Sequence, residues 1–518
     1  MDDSDSLFSQ LFQLDFDLDS LDPPDDDSDA GAPEEFTSTE TDDFEPIVVP
    51  GHPTPLPEKV VQHEPAHLSV PAPLASDDDE DDPATPTSSR GGSAEAEGVN
   101  LEGSGQRKRK SPSRIAHEKA NKRRKNLIEV QARKELKDRG PWFLAMLDYQ
   151  MRRYSSPEVV VLALDAETDL KATKSAYEGK VYRKSALQET CTLEGCLQDG
   201  YREVVWDGRE QIAFVDAGGR FLVVLGGMPK DENSWKKTTT AAYKAMDEQQ
   251  QGMRLTCDPC KKKTPENYCK PCHNRRGDFR AVSVGLSFGG GQRHPQMLRQ
   301  HKANSPGLVA LITNHSIFRI AGIGRAYLAT FAPKVYQDFS TKLLPIYRED
   351  PDLQLLFRNS IFPACTFNFG PAAITGFHYD SKNKANGYIA VTALGDFDHT
   401  RGGHLVIKTL KLMIQFPPGS TILFLSAVLE HANTPVQPGE RRSSFTQYAA
   451  GSLFRWTDAG GQTMKQAQTR SPEIYKEMKR KEEGAWQRAL NSLSTIDSLQ
   501  QDQKDVQKAL DQLYLSQT

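Results

Sequence analysis

The chain has 518 residues, of which 37% are hydrophobic. A wholly globular chain carries roughly 45–50%, so part of this one is expected not to fold. The net charge of −6 conceals a split: residues 1–106 hold 28 acidic side chains against Lys59 and Arg90 alone, which leaves +20 on the remainder. No apolar run approaches the about 18 residues of a membrane span, and MDDSDSLFSQLFQLDF lacks the basic start and apolar stretch of a secretory signal, so neither is expected.

The arm 1–106 also holds 13 of the 32 prolines and the run DDDEDD at 77–82. It has too little apolar surface to offset the entropy of ordering and reads as disordered. Within it, LFSQLFQLDFDLDSL (7–21) mixes Leu and Phe with Asp, and reads either as a docking motif for a protein partner or as plain tail. Charge reverses over 107–138. RKRK at 107–110 and KRRK at 122–125 have the layout of a bipartite nuclear localisation signal. A nonspecific nucleic-acid arm is the other reading, and both point to the nucleus. A helix is expected over 116–138, ending before Gly140-Pro141. An acidic arm on a basic body suggests a negatively charged partner, nucleic acid first, against the plainer reading of a solvated surface with a solubilising tail.

Globular texture begins near residue 158. EVVVLALD (158–165) predicts a strand, and 210–227 a hairpin around Gly218-Gly219. A helix follows over 232–254, then a cysteine-rich insert at 255–275, the strand AVSVGLS (281–287) and two helices between 306 and 349. From 362 onward short β-rich runs are cut by Gly, Pro and Asp, as in a barrel or sandwich. The stretch 465–518 is charged, with TIDSLQQDQKDVQKALDQLYL expected as an exposed helix.

The β-rich region contains His378-Tyr379-Asp380. Residues two apart on a strand share a face, so the imidazole and the carboxylate converge. His431, after the run STILFL, is the candidate third ligand. Two His and one carboxylate form the facial triad of non-haem Fe(II) oxygenases, which leaves coordination positions open. Such a centre needs an electron-donating co-substrate; a five-carbon dicarboxylate, chelating the metal with its keto-acid end, requires a cation for its far carboxylate, best an Arg fork. Arg441 and Arg442 both qualify by position, and on a strand only one faces inward. The pattern Arg442-x-Ser444-Phe445-Thr446 favours Arg442. Asn368 in FNFGP is a candidate hydrogen-bonding partner near the co-substrate. His404 reads as a structural histidine or a pocket-mouth residue, His399 as a turn residue. Gly289-Gly290-Gly291-Gln292 reads as a loop that approaches substrate or as an ordinary surface loop.

Cys257-x2-Cys260-x8-Cys269-x2-Cys272 supplies four thiolates in two knuckles, the layout of a structural Zn²⁺ site. Cys191, Cys196 and Cys365 lack partners at metal spacing and are expected to be ordinary thiols.

Taken together, FNFGP (367–371), HYD (378–380), TALGDFDHTRGGHLVI (392–407), FPPGSTILFLSAVLEHANTPVQPGE (416–440) and SSFTQYAAGSLFRW (443–456) resemble the fungal branch of the TET/JBP-type 2-oxoglutarate/Fe(II)-dependent dioxygenases. RGDFRAVSVGLSFGGGQ (276–292) extends the resemblance, which covers roughly 140–460. It implies an α+β fold: a double-stranded β-helix (jelly-roll) core with flanking helices, beside a small zinc module and the disordered arm. It implies iron held by His378, Asp380 and His431, 2-oxoglutarate anchored at Arg442, and oxidation of the methyl group of a modified base in DNA, flipped out of the stack. The same chemistry on N-methylated bases, RNA or protein, and a nonenzymatic chromatin-binding protein with a degenerate barrel, are the alternatives. The chain departs from the family pattern at Ser443, where an aromatic is expected, and at Glu430, where a basic residue is common. The expected organisation is the arm 1–106, the basic segment 107–138, a dioxygenase domain over 140–460 carrying the zinc insert 255–275, and the tail 465–518.

Overall fold

The computed structural model describes residues 44–46, 157–180, 191–255, 280–350 and 352–515. The four zinc-spaced cysteines, the two basic clusters and all of the acidic arm but Phe44–Pro46 lie outside the described residues. Those three residues of the arm, read from sequence as disordered, form a strand, β1.

The fold is α+β. After β1 the strands are β2 (Glu158–Val161), β3 (Arg202–Val204), β4 (Ile212–Val215), β5 (Phe221–Gly227), β6 (Arg280–Ser287), β7 (Gln296–Met297) and β8 (Arg299–His301). The second half adds β9 (Ala364–Phe369), β10 (Ile389–Asp396), β11 (Leu405–Ile407), β12 (Leu412–Ile414), β13 (Thr421–Phe424), β14 (His431–Asn433) and β15 (Arg441–Tyr448). A nine-stranded sheet runs β2-β4-β5-β13-β10-β15-β9-β6-β7, and a four-stranded sheet runs β14-β11-β12-β3.

The hairpin expected around Gly218-Gly219 joins β4 to β5. Gly219 takes φ +74°, a conformation that costs glycine little. The Asp216 carboxylate fixes the turn by accepting from the Arg220 backbone N–H at 2.8 Å and from Arg220 Nη1 at 2.9 Å. The longest ladder pairs β10 with β15, from Ala390↔Gln447 to Asp396↔Arg441.

Alternation along β15 sorts its side chains. Phe445 packs on Phe357 and Phe367, and Gln447 donates to Ala321 O of a covering helix at 3.1 Å. Arg442, Ser444 and Thr446 therefore face the opposite way, toward the smaller sheet. Phe424 of β13 meets His431 of β14 edge-on at 4.8 Å, across the space between the two sheets.

Helices back the nine-stranded sheet. The Glu232–Gln251 helix is capped by Asp231, whose carboxylate accepts from Ser234 N–H at 3.1 Å, and it buries Trp235, Thr238, Ala242 and Met246 at helical spacing. Where two helices are expected between 306 and 349, there are three: Ser305–Ile312, His315–Phe331 and Pro333–Glu349. Asn314 caps the second by accepting from Ser316 and Ile317 N–H, and Pro333 starts the third. The C-terminal Leu499–Leu515 helix is not the exposed helix the sequence suggests. Leu499, Val506 and Leu510 are buried, and Gln503 donates to Thr330 O at 2.8 Å. Among the described residues, no single helix is long and apolar enough to cross a membrane.

The outer face of the four-stranded sheet carries a small separate cluster of Cys191, Cys196, Tyr201, Val406 and Met413. Cys191 and Cys196, expected to be ordinary thiols, are joined as a disulfide. Cys196 lies in the Leu193–Gln198 helix and Cys191 just before it, so the first helical turn brings the two together. Cys365 is a buried free thiol, its acidity suppressed by burial.

Candidate functional site

The ligand atoms of His378, Asp380 and His431 all lie within 4.8 Å of one another, and all three residues are buried. His378 and Asp380 do not sit on a regular strand as expected. Their segment is extended but tied to its neighbours at separate points: His378 bridges backbone-to-backbone with His431, each N–H donating to the other's carbonyl at 2.9 Å, and Asp380 N–H donates to Ser426 O at 3.0 Å. One local pairing thus brings together ligands 53 positions apart in sequence.

Both imidazoles are oriented by backbone. Nδ1 of His378 lies 2.9 Å from Gly376 O, and Nδ1 of His431 lies 3.0 Å from Leu429 O. A carbonyl oxygen can only accept, so each Nδ1 carries a proton, and in the neutral ring Nε2 is left as the nitrogen able to bind a metal. Those two Nε2 atoms face Asp380: His378 Nε2 is 3.6 Å from Oδ1, and His431 Nε2 is 3.9 Å from Oδ2. Two imidazole Nε2 atoms and a carboxylate, held by backbone in a buried space, form a donor set suited to one divalent transition metal ion.

The segment after Asp380 is braced by charge. Lys384, buried, lies 3.1 Å from Asp338 and donates to Asn386 Oδ1 at 2.6 Å. Burial pushes the Lys384 pKa down, against the pull of Asp338, while Lys384 and Lys342 outweigh burial to hold Asp338 below the usual carboxylate range.

The two candidate arginines separate cleanly. Arg441 is exposed, bonded to the Tyr243 hydroxyl and 2.8 Å from Asp247. Arg442 is 2% exposed. Its Nη1 donates to Ala373 O at 3.0 Å, its guanidinium lies 5.9 Å from the centre of the Phe397 ring, and its Nε has no hydrogen-bond partner. Gly403, at φ +71°, leaves room for it: a Cβ there would stand 3.1 Å from Arg442 Cδ and 2.7 Å from the Phe397 ring. Ser444, two residues along the same face, is fully buried with no partner for its hydroxyl. Asn368, on β9 directly opposite Ser444, is also buried.

No protein-family profile and no curated protein matches the chain. Among solved structures, the chain is similar to NgTET1 in complex with 5mC DNA, at 11% identity and TM-score 0.34, over 60% of this chain and 89% of that one. It is also similar to a 2OG-Fe(II) oxygenase-family oxidoreductase from Burkholderia pseudomallei, at 18% identity and TM-score 0.20, over 33% and 68%. A third is the viral collagen prolyl hydroxylase of Paramecium Bursaria Chlorella virus-1 in its 2OG complex, at 23% identity and TM-score 0.14, over 17% and 57%. The overlap is partial in each case.

The remaining sequence candidates fall outside the triad. His404 is buried, its Nε2 3.3 Å from Glu203 of β3 and its backbone N–H donating to Thr434 Oγ1 at 3.0 Å. Burial holds its pKa below the ordinary imidazole value, against the opposing pull of Glu203. His399 sits in a turn, and Gly289-Gly290-Gly291 form a turn closed by Gln292 N–H to Gly289 O at 2.8 Å. Ser443 is buried against Gly370, where a Cβ would come within 2.6 Å of the serine hydroxyl. Glu430 lies 3.8 Å from Lys408.

One residue the sequence reading missed is Asn433. Its Oδ1 accepts from Thr375 N–H and from the Thr375 hydroxyl, both at 2.7 Å, and its Nδ2 donates to Ala373 O at 3.2 Å, the carbonyl that also receives Arg442. Asn433 follows His431 by two positions, so strand alternation alone would have placed it on the same face.

Proposed function

We propose that this chain is a 2-oxoglutarate- and Fe(II)-dependent dioxygenase that oxidises the methyl group of a modified base in DNA, of the 5-methylcytosine type. The observation that carries the chemistry is the convergence of His378, Asp380 and His431 beside a buried arginine whose Nε has no partner. A buried cation that donates one hydrogen bond to a carbonyl and leaves another donor unused is suited to an incoming carboxylate. The two sheets, facing each other over this interior, are read as a double-stranded β-helix.

In this reading His378, Asp380 and His431 hold the iron. Arg442 takes the far carboxylate of 2-oxoglutarate, with the Ser444 hydroxyl and Asn368 as neighbouring polar contacts. When bound, iron and 2-oxoglutarate supply the oxidation of a C–H bond by O2, with release of succinate and CO2. The Gly376 and Leu429 carbonyls hold both imidazoles with Nδ1 turned away from the site and Nε2 toward it. The walls Ile389, Val391, Ile422 and Phe424, all buried, exclude water from the reacting centre.

The DNA substrate is supported by the motif resemblance over 367–456 and by the +20 body. The reading extends to a structural zinc on Cys257, Cys260, Cys269 and Cys272, and to a nuclear location directed by 107–125. Incubation of purified protein with methylated duplex, Fe(II) and 2-oxoglutarate should release succinate and yield an oxidised base by nucleoside mass spectrometry. Succinate release without base oxidation would move the substrate to RNA, N-methylated bases or protein. No iron-dependent succinate release on any of these would leave only a binding protein. Metal analysis of the purified chain should find one zinc that a mild iron chelator does not remove, and deletion of 107–125 should disperse the protein from the nucleus.

A further inference from the structure

Within the acidic arm, Phe44–Pro46 pair antiparallel with Arg299–His301, in the register Phe44↔His301, Glu45↔Gln300 and Pro46↔Arg299. The arm segment belongs to the same compact unit as the strand it meets. Arg299–His301 continues the terminal strand of the nine-stranded sheet. Leu298 N–H donates to Gly285 O at 2.8 Å, and Gln300 Nε2 to Ser283 O at 2.6 Å, both on β6. The arm therefore covers the far edge of a strand whose near side is already engaged.

The covered strand is basic: Arg299 and the following Lys302 are exposed, and half-buried Arg254 lies 2.6 Å from His301 Nε2. The covering strand carries one acid, Glu45, and in the sequence TDDFEP two more, Asp42 and Asp43, precede it.

We propose that Phe44–Pro46 is a strap acting in cis, an acidic segment that adds as a strand to the basic Arg299–His301 edge and withholds that edge from nucleic acid. This rests on the DNA reading above. Strand addition supplies docking through main-chain hydrogen bonds, and it covers an edge that would otherwise invite pairing with other chains. Three residues make a weak pairing, and Pro46, with no N–H to donate, limits its extension. Two effects hold so short a contact: the tether, which keeps the strap at high effective concentration, and the attraction of opposite charges, which salt weakens. A duplex, with its far denser charge, displaces such a strap, whereas scattered small anions do not.

Three full-length variants test this against the wild type: deletion of 42–46, the neutralised D42N/D43N/E45Q, and D77N/D78N/D79N, which removes the same charge elsewhere in the arm. Hydrogen exchange of the peptide spanning Arg299–His301 reads docking without DNA, and anisotropy with a short duplex at two salt concentrations reads shielding. Deletion should raise exchange at 299–301 and tighten duplex binding about fivefold or more at low salt, as expected for removal of an intramolecular competitor. The neutralised variant should fall between, and the 77–79 variant should match the wild type in both. Unchanged exchange on deletion overturns the strap. Equal tightening in the 77–79 variant assigns the effect to arm charge in general and overturns it too. Duplex bound equally with and without 42–46 overturns shielding alone. Duplex bound by no form overturns the DNA reading itself, and shielding with it.

Discussion

The nine-stranded and four-stranded sheets line the same interior, yet they are supported very differently. The larger carries Arg442 and Ser444 on an eight-residue strand, β15, whose buried Phe445 packs on Phe357 of a loop and Phe367 of β9. The smaller carries His431 on a three-residue strand, β14, and its outer face rests on a cluster of five buried residues. Burial holds the first in place. The second is positioned by polar ties: the His378–His431 bridge, the Leu429 carbonyl on Nδ1, and Asn433 on Thr375 and Ala373. Arg442 is thus fixed mainly by packing and His431 mainly by hydrogen bonds.

Substitutions sharpen this contrast. The largest effect should come from His378→Ala or Asp380→Ala, each removing a ligand while the apolar strands stay intact. Oxidation should fall to background with the melting temperature near that of the wild type, and turnover at the wild-type rate would remove the ligand assignment. Next, Arg442→Ala should raise the KM for 2-oxoglutarate by the equivalent of roughly 2–5 kcal/mol, the usual cost of stripping one partner from a buried charge pair. Arg441→Ala should change it little, and steady-state kinetics that reversed the order would shift the strand register by one. Phe445→Ala should then cost about 3–5 kcal/mol in denaturant unfolding, and Met413→Ala in the small outer cluster nearer 2 kcal/mol. Equal losses would mean that the two sheets share one support after all.

The smallest effect concerns pH. Burial depresses the His404 pKa in the folded state, so as pH falls the unfolded chain takes up that proton first. His404 therefore contributes stability that is present above the ordinary imidazole range and lost as pH drops below it. Burial shifts His315 and His399 the same way, so His404→Gln should flatten only part of the acid limb of a stability–pH curve. An unaltered curve would show that Glu203 and Thr434 accommodate the charged ring.

Local pattern made some of this legible and tertiary context hid the rest. Gly218-Gly219 between two apolar runs marked the β4–β5 hairpin because the turn needs a residue tolerant of positive φ. Alternation on β15 separated Arg441 from Arg442, since a strand can bury only one of two neighbours. The HYD segment looked like a strand by composition but pairs at one residue, because its partners His431 and Ser426 come from different elements. The C-terminal helix looked exposed because charges surround Val506 and Leu510, four positions apart, and only the body it packs against shows why they are apolar. The Cys191–Cys196 disulfide carries no spacing signal of its own; a helical turn brings the two sulfurs together.

The parallel pairing of β3 with β12, Arg202↔Leu412 through Val204↔Ile414, joins residues about 210 positions apart, and β5 reaches β13 across a similar span. Segments of such large sequence separation pay their loop-closure entropy before any contact rewards it, so they assemble late. The metal ligands lie in the second half of the chain, but strands from the first half complete both sheets around them. During synthesis the early strands must wait for residues 405–448 to emerge, with their edges unpaired in the meantime. Assembly of the two sheets is therefore expected to be slow, and the space between them closes only once residues 441–448 have been made.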